Sequence, residues 1–524
     1  MNSFVPPEID WAALTPILIV LGSAVLGVLV EAFVPDRVRR TVQVVLAVLA
    51  LGAALVSVAW RWTVVQSQGP ASLVGGAVVE DAPALMGQGI MLICAFVGIL
   101  VIAERFAGED SFAPTASAVP GSAYERLARR NNLVQTEAYP LVLFSMGGML
   151  IFPAATDLLT LFIALEVLSL PLYVLSGLAR RRRLLSQEAS LKYFLLGAFS
   201  SAFFLMGLAL LYGYSGSVQL SELANAVPQM RSLDGVLLAG VVLVIIGLLF
   251  KVGAVPFHSW VPDVYHGAPT PITGFMAACT KIAAFAALLR FVYVVAGGLS
   301  WDLSPVMWII AILTMLVGTL LGIVQQNIKR MLAYSSVAHA GFVLLGVIAW
   351  TSSGISGVWV YMLVYGLATV GAFGLVALVR EQDEHGNITA EAGQLGQWAG
   401  LGRRHPVVAV CFTIFLLSFA GVPLTAGFIG KFVVFSAAVE GGAWPLVVLA
   451  VLASAAAAFF YVRVIVVMFF TPPKESADGG AATVVRTEGL TTVAVAVCVL
   501  GTILLGVLPG PLLDLAADAT KFLL

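Results

Sequence analysis

The chain has 524 residues, of which 60% are hydrophobic and 10% are charged, and its formal net charge at pH 7 is −1. A composition this apolar cannot be buried entirely in a soluble core, so the chain is predicted to be a polytopic membrane protein. A net charge near zero also argues against a nucleic-acid partner and leaves the lipid bilayer as the expected surrounding.

Apolar windows of about 20 residues recur along the whole chain and predict an all-α fold of about fourteen membrane spans. The predicted spans lie near residues 11–34, 41–61, 83–103, 138–154, 157–178, 188–212, 235–257, 272–296, 305–325, 330–350, 356–379, 407–436, 443–470 and 489–508.

Basic residues concentrate in alternate loops between these spans. The clusters are Arg37/Arg39/Arg40, Arg126/Arg129/Arg130, Arg180–Arg183, Lys329/Arg330, Arg380/Arg403/Arg404 and Lys474/Arg486. By the positive-inside rule these loops are cytoplasmic, so both termini are predicted to lie outside. The run Arg180–Arg183 could instead be a nucleic-acid or lipid patch, but topology alone explains four basic residues beside a span.

The first three spans form a predicted N-terminal segment, residues 1–103, that carries little chemistry. Residues 104–137 are a polar insertion with prolines and glycines, which we interpret as a flexible or docking loop in the cytoplasm. The segment 380–405 is a second polar loop on the same side.

The fifth span carries Glu166 among leucine, phenylalanine and valine residues. A carboxylate in such surroundings must be protonated or paired. One alternative is a structural acid bonded to a neighbouring hydroxyl such as Ser169. In the sixth span Lys192 stands about one turn inside the boundary, where a side chain that snorkels to the interface is an alternative to a buried functional lysine.

The stretch 250–290 breaks the helical pattern beside a cation. Lys251 is followed by Gly253 and Pro256, and proline has no amide hydrogen and clashes with the preceding turn. Non-helical backbone at membrane depth is tolerated only where protein buries it or a hydrated cavity solvates it, so we expect an internal polar path here. The eighth span then brings Lys281 into the apolar layer. Intramembrane lysines are functional by default, although Lys251 could also snorkel to the interface.

The tenth and twelfth spans repeat these themes. Ser335, Ser336 and His339 form a polar stripe after Lys329 in the tenth span, where His339 is either a packing residue or a member of a relay. In the twelfth span Pro423 and its neighbouring glycines again lie near a cation, Lys431. Tyr334 and His339 are candidate bridging groups, and His258 beside the first break is a further group that could hold water or pass a proton.

This recurrence indicates an internal duplication. Val255–Pro256 aligns with Val422–Pro423, and the sixth span from Tyr193 aligns with the eleventh from Tyr361. A unit of five spans is odd in number, so the second copy is inverted in the membrane. The predicted units are residues 138–296 and 305–470, followed by a C-terminal loop and last span at 471–524.

Cysteine and histidine usage predicts no cofactor and no metal in this chain. Cys94, Cys279, Cys411 and Cys498 are each alone in an apolar span, and the five histidines show no ligand spacing within one span. No G-x-G-x-x-G opens a strand–helix unit. We therefore expect the chain itself not to carry electrons.

Three motifs resemble a known family. The runs KVGAVPFHSWVPDVYHGAPTPITGF, NIKRMLAYSSVAHAGF and GVPLTAGFIGKF closely resemble the N-subunit family of bacterial NADH-quinone oxidoreductase, respiratory complex I, and the resemblance extends over about residues 138–470. It implies discontinuous seventh and twelfth helices, inverted repeats, proton transfer and a location in the bacterial plasma membrane. It also implies FMN, iron–sulfur clusters and a quinone in other subunits, with the K, J and M subunits as neighbours.

Carried over by motif, Glu166 resembles the fifth-helix acid of the family and Lys251 its seventh-helix partner. Lys281 resembles the central lysine of the eighth helix, and Lys431 the lysine of the twelfth. The insertion 104–137 and the loop 380–405 depart from the family pattern. Two alternatives remain open: a subunit of a multi-subunit Na⁺/H⁺ antiporter, and a structural scaffold whose lysines only hold water.

Overall fold

The computed structural model describes residues 9–106, 108–114, 122–130, 134–229, 234–382, 388–472, 482–485 and 487–523. The described part of the chain is mainly helical, which confirms the predicted fold class. Its α-helices are α1 (Thr15–Phe33), α2 (Asp36–Gln68), α3 (Ala82–Ala103), α4 (Ala123–Arg130), α5 (Ala138–Ile151), α6 (Leu158–Ser176), α7 (Arg183–Ser215), α8 (Leu220–Ala226), α9 (Asp234–Val252), α10 (Trp260–Gly267), α11 (Thr270–Val294), α12 (Ser300–Val324), α13 (Ile328–Ile348), α14 (Ser352–Leu378), α15 (Leu401–Arg404), α16 (Pro406–Ala420), α17 (Ala426–Glu440), α18 (Trp444–Phe470), α19 (Leu490–Val507) and α20 (Gly510–Asp518).

Short strands, which the apolar windows did not predict, occur in the loops. They are β1 (Ala71–Leu73), β2 (Val78–Glu80), β3 (Val379–Gln382), β4 (Ile388–Glu391) and β5 (Thr483–Val484). Strands β1 and β2 form an antiparallel hairpin, and β3 pairs antiparallel with both β4 and β5.

Twelve helices among the described residues are long and apolar enough to cross a membrane. The shorter apolar segment Ala138–Ala154 and the pair α16 and α17 complete the set of about fourteen predicted spans. Helices α2 and α7 each have 33 residues and extend well beyond the apolar windows that predicted them. Their polar and basic first turns continue the helix outside the apolar layer, where an apolar window cannot detect it.

The same helix pairs pack in the two halves of the chain. Helix α5 packs on α6, α6 on α7, and α7 on both α9 and α10; likewise α12 packs on α13, α13 on α14, and α14 on both α16 and α17. The seventh span is broken between α9 and α10, and the twelfth between α16 and α17, as predicted.

The core of the molecule is built from three helices. In their most apolar windows α11 and α14 are completely buried within the chain and α13 is 94% buried, whereas most other spans expose one face. Side chains on α11 and α13 therefore face protein and not lipid. This places Lys281 and His339 in the interior.

One end of α11 is held by a buried ion pair. The Arg290 guanidinium donates to Asp81 Oδ1 at 2.6 Å and to the Pro153 carbonyl at 2.6 Å, and each member of the pair is 1% exposed. The Leu523 amide donates to the second oxygen of Asp81 at 3.0 Å. The end of the core opposite to Thr270 is thus fastened to the start of α3 and to the C-terminal segment.

Part of the loop predicted at 104–137 is ordered against the ends of the spans. The Ala113 amide donates to the Leu178 carbonyl, and the Arg180 amide donates to Ser111. Helix α4 also lies in this loop. Residues 115–121 and 131–133 of this loop lie outside the described residues, as do 383–387 of the loop at 380–405 and the basic residues Arg231, Lys474 and Arg486.

Candidate functional site

The seventh span is interrupted by seven residues between Val252 and Trp260. The loosened backbone finds new partners within the protein. The Trp260 indole donates to the Phe250 carbonyl at 2.9 Å, and the Val255 amide donates to the Thr314 hydroxyl of α12 at 2.9 Å. The first part of the break, residues 253–255, is buried and bonded to a helix of the other repeat, as irregular backbone at membrane depth requires, whereas Pro256 and Ser259 are exposed on this chain.

Lys251 occupies the last turn before this break. Its side chain is buried, and its ammonium lies 4.9 Å from the centre of the Tyr193 ring and 5.2 Å from that of Tyr173. Aromatic faces attract cations at such distances. Among the described residues, however, neither the Lys251 ammonium nor the two tyrosine hydroxyls have a hydrogen-bond partner. Buried polar groups are rarely left unsatisfied, which distinguishes this cluster from ordinary packing.

Glu166 is half-buried on α6 and accepts a hydrogen bond from the Ser201 hydroxyl of α7. The neighbouring hydroxyl considered from the sequence, Ser169, donates instead to the Leu165 carbonyl of its own helix. Glu166 acts electrostatically on Lys251, but the structure does not bring the two charges together as an ion pair within the described residues.

The separation of the two charges follows from helix geometry. Tyr173, which contacts Lys251, lies seven residues after Glu166 on α6, which is about two turns or ~10 Å along the axis. Glu166 and Tyr173 therefore share one face of α6, two turns apart. In this conformation the predicted partners Glu166 and Lys251 do not form an ion pair.

Lys281 is bound directly to α13. Its ammonium donates to the Ser336 carbonyl at 2.5 Å and to the Ser336 hydroxyl at 2.6 Å, and it lies 5.5 Å from the centre of the Tyr365 ring. The Tyr265 side chain reaches Ser336 as well. This lysine is 3% exposed and has no acidic partner among the described residues, so hydroxyl and carbonyl oxygens take the place of a counter-ion.

His339 continues the polar line from Lys281. Its ring nitrogens contact the Tyr361 hydroxyl at 2.7 Å and the Tyr461 hydroxyl at 3.1 Å, and Tyr461 also contacts the Ser335 hydroxyl at 2.5 Å. Both tyrosines come from other spans, α14 and α18. Spacing along a single helix could suggest His339 but not these two partners.

Lys431 lies at the break of the twelfth span. Its ammonium donates to the Phe419 carbonyl at 2.8 Å, to the Ala420 carbonyl at 3.0 Å and to the Ser454 hydroxyl at 2.7 Å. These two carbonyls end α16, where the chain turns through Gly421 with φ +82°. The lysine therefore satisfies backbone oxygens that the interrupted helix leaves without amide donors.

Six buried polar residues follow one another through the core and are called the central line: Lys281, Ser336, Ser335, Tyr461, His339 and Lys431. Hydrogen bonds join Lys281 to Ser336, and Ser335 through Tyr461 to His339, whereas no hydrogen bond joins His339 to Lys431 among the described residues. The His339 ring packs 5.5 Å from the Phe419 ring, and His339 lies within electrostatic range of both Lys281 and Lys431. Every member is buried. The structure thus brings together three of the residues proposed from the sequence.

Lys192 lies apart from the central line. Its side chain is 41% exposed and forms ion pairs with Glu188 at 2.6 Å and with Asp263 at 2.7 Å. Arg330 pairs with the other oxygen of Asp263 at 2.7 Å. In this structure Lys192 thus joins α7 to α10 and α13 near one end of the bundle.

His258 and Tyr334 also lie outside the central line. His258 is half-buried in the break of the seventh span, and its Nδ1 has no partner within the described residues. Tyr334 is buried on α13 but forms no hydrogen bond with the central line in the described structure.

A charged cluster that the sequence analysis missed covers one end of the core. The Lys329 ammonium donates to the Ala268 carbonyl and the Thr270 hydroxyl, both at 2.9 Å, and to Glu391 at 3.2 Å. Burial opposes ionisation of Glu391, but the charges of Lys329 and Arg380 and a hydrogen bond from Thr270 lower the pKa of its carboxyl to about 2. Glu391 lies in a polar loop, where nothing in the sequence distinguishes it from neighbouring acids.

Within the described residues, no group of three or more histidine, cysteine, aspartate or glutamate side chains could hold a metal ion. The cysteines are free, and Cys94, Cys279 and Cys498 are buried.

Comparisons with known proteins agree with this arrangement. A family model described as NADH:quinone oxidoreductase/Mrp antiporter, transmembrane, matches residues 155–456. NADH-quinone oxidoreductase subunit N of Beutenbergia cavernae is 67% identical over 528 residues, with 99% of each chain covered. Subunit N of Rhodococcus opacus is 54% identical, covering 98% of this chain and 97% of its own.

Solved structures give the same result at greater distance. A chain of respiratory complex I from Thermus thermophilus, solved with bound aureothin, is 31% identical with a TM-score of 0.75, and the match covers 96% of this chain and 99% of that one. A chain of the Mrp complex from Dietzia sp. is 22% identical with a TM-score of 0.77 and 97% of each chain covered, which shows a shared fold alone. With relatives this similar over nearly their full length, the chain belongs to the subunit N family of NADH-quinone oxidoreductase.

Proposed function

We propose that this chain is a proton-translocating membrane subunit of NADH:quinone oxidoreductase, which moves protons along buried glutamate and lysine side chains while quinone is reduced elsewhere in the complex. The observation that carries the proposal is the central line. It extends from Lys281 of the first repeat through hydroxyl groups to His339, which lies within electrostatic range of Lys431 of the second repeat, all within the buried core.

Energetics favour a functional reason for these lysines. A charged lysine at the centre of a membrane helix costs about 2.5–3.5 kcal/mol on insertion scales. Burial disfavours the charged form of a lysine, and a nearby carboxylate favours it. Movement of Glu166 toward Lys251 would therefore strengthen proton binding at Lys251, and the open arrangement seen here would weaken it. A proton released from Lys251 can be taken up by the next lysine.

The polar groups between the lysines fit short proton transfers. A histidine between two tyrosine hydroxyls can accept a proton on one nitrogen while the other donates, because its two nitrogens are exchangeable donor and acceptor sites. Glu166, Lys251, Lys281 and Lys431 are the groups we propose to carry protons. We propose Lys192, His258 and Tyr334 as accessory groups that hold charge or water near this path.

We propose that the chain uses no redox cofactor of its own and depends on FMN, iron–sulfur clusters and a quinone in other subunits, with the K, J and M subunits as membrane neighbours. Affinity purification of this chain from its native membrane tests this. We expect partners that carry flavin and iron–sulfur clusters. Recovery of only a small set of purely membranous partners would instead support the antiporter alternative, which the shared Mrp fold keeps as a second candidate.

We also propose that the basic loops face the cytoplasm and that both termini face outside. Contacts between loops support a common side, because Arg40 pairs with Asp110 at 3.3 Å and Arg182 pairs with Glu381 at 3.0 Å.

Single cysteines placed at Ser3 and Ser117, both outside the described residues, test this orientation. We expect an impermeant thiol reagent to label the first from outside intact cells but not the second. Labelling of the cysteine at 117 from outside would reverse the orientation.

A further inference from the structure

A polar cavity lies at the end of the bundle where the basic loops meet, and we call it the vestibule. Its volume is about 440 Å³. It is lined by Arg180–Arg182, His266, Lys329, Arg380 and Glu391, together with parts of the loop after α3 and of β4. Its floor is the segment 266–269 that leads into α11, so it opens directly above the core helices.

Lys329 and Glu391 form a contact at the floor of the vestibule, which we call the latch. The Lys329 ammonium binds Glu391 on β4, and both side chains bind the Thr270 hydroxyl at the first turn of α11. Lys329 is 4% exposed, although it lies beside the cavity. The latch therefore joins the start of α11, the start of α13 and β4 at one point.

Helical spacing aligns the latch with the central line. Thr270 and Lys281 are eleven residues apart on α11, close to three full turns, so they share one face with ~16 Å between them. Lys329 and Ser336 are seven residues apart on α13, close to two turns, and share a face as well. The two faces meet twice: at the latch, and where Lys281 binds Ser336.

The seam between these two contacts is short and mainly apolar. By helical spacing, Ala277 on α11 and Leu332 and Ala333 on α13 occupy it, and all are buried. The Tyr265 side chain of α10 reaches Ser336 at its inner end and brings one hydroxyl to otherwise apolar surroundings. A seam of this kind is dry when its ends are held together and wets when they separate.

We infer that the seam between α11 and α13 is the water route from the vestibule to Lys281, and that the Lys329–Glu391 latch closes it. This inference rests on the proposed function, because a water route matters only if Lys281 exchanges protons. The latch residues are positioning residues: they act by holding the two helix ends together and do not receive the transferred proton.

The charge on Glu391 supports a mechanical latch over a titrating one. Lys329 and Arg380 keep the pKa of this carboxyl far below neutral pH, at about 2, despite its burial. Protonation of Glu391 therefore does not open the latch under cellular conditions. Opening requires β4 or the start of α13 to move, as when loops at this face shift during turnover.

Thiol accessibility in the assembled complex tests the route. Ala277→Cys is introduced into a chain whose native cysteines are replaced by alanine, and inside-out membranes are treated with a small cationic methanethiosulfonate. Glu391→Gln should raise the labelling rate at residue 277 by about tenfold, the factor expected when a hydrogen bond to a charged group is lost. Glu381→Gln is the matched control on the same sheet, because Glu381 contacts Arg182 and Gln397 and not Lys329.

A second reporter distinguishes a wetted seam from general loosening. Cys279 lies on the same helix as residue 277 but faces α3, where its thiol contacts the Met91 carbonyl at 3.7 Å. A chain that retains Cys279 alone should remain unlabelled in the Glu391→Gln background. Equal acceleration at both positions, or none at 277, would overturn the inference.

The double variant Lys329→Gln, Glu391→Gln guards against misfolding, because it removes both charges of the latch and so does not leave the buried Lys329 ammonium without its acid. Arg380 loses Glu391 as well but keeps its electrostatic interaction with Glu109. It should show the same acceleration of labelling at residue 277.

Failure of the water route and failure of the proposed function can be distinguished. If Lys281→Met abolishes pumping while residue 277 stays inaccessible, the route is wrong and the function stands. If residue 277 is accessible while Lys281→Met pumps normally, the route exists but the proposed function fails.

Discussion

Replacement of Lys431 by arginine should remove most proton translocation while the complex still assembles. The guanidinium keeps the positive charge but does not deprotonate under physiological conditions, so it can serve as a counter-charge and not as a relay. Loss of a positioned proton-transfer group typically costs on the order of a hundredfold or more in rate. We expect a loss of this order in NADH-driven proton uptake by proteoliposomes that contain the reconstituted complex.

The contacts of Lys431 make the substitution informative. Two backbone carbonyls and the Ser454 hydroxyl surround the ammonium, and all are acceptors that a guanidinium can also satisfy. Lys192→Arg is the matched control, since Lys192 pairs with two carboxylates at a 41% exposed site and should keep near-normal activity as arginine. Full pumping by an assembled Lys431→Arg complex would return Lys431 to a structural role.

Neutralisation of Glu166 or of Lys251 should lower proton pumping and quinone reduction together, because a blocked proton relay also slows the redox reaction to which it is coupled. If the two act as one unit, their effects are non-additive. The double variant Glu166→Gln, Lys251→Ala should therefore be about as impaired as the worse single variant. The measurements are NADH:quinone activity and proton uptake on the same preparations.

The lack of contact between Glu166 and Lys251 in this structure makes the test more informative. Glu166 is held by Ser201 and Lys251 by two tyrosine rings, so any coupling between them arises from a change of conformation and not from a fixed ion pair. A Glu166/Lys251 double variant that loses the product of the two single effects would argue against direct coupling.

Much of the fold could be read from the sequence because membrane spans and helix breaks leave local signals. Pro256 and Pro423, each near a glycine and a lysine, marked the two discontinuous helices. The ends of α2 and α7 were not predicted, since helix that continues beyond the apolar layer is polar. The strands β3 and β4 were missed because short strands in polar loops have no periodic pattern.

The site was predictable only where a charge stands out against apolar surroundings. Lys281, His339 and Lys431 have that signal, and the structure places them on one line. Tyr461 has no such signal, because a tyrosine in an apolar helix looks like ordinary packing until a distant helix brings it to His339. Tyr334, the other candidate bridging group of the tenth span, lies five residues from His339 and on a different face of the helix.

Lys431, at the second helix break, also stabilises the end of α16. The end of α16 carries partial negative charge from its aligned peptide dipoles, and a cation placed there stabilises the helix by about 0.3–2 kcal/mol. Lys431 supplies that cation and grips the last two carbonyls of the helix. When a proton leaves, the amine keeps its position but loses its charge and one of its three donors, so the grip weakens at the point where Gly421 allows the chain to bend. Deprotonation of Lys431 and loosening of the twelfth span then occur together. The same proton is both the transferred species and the charge that stabilises the end of α16.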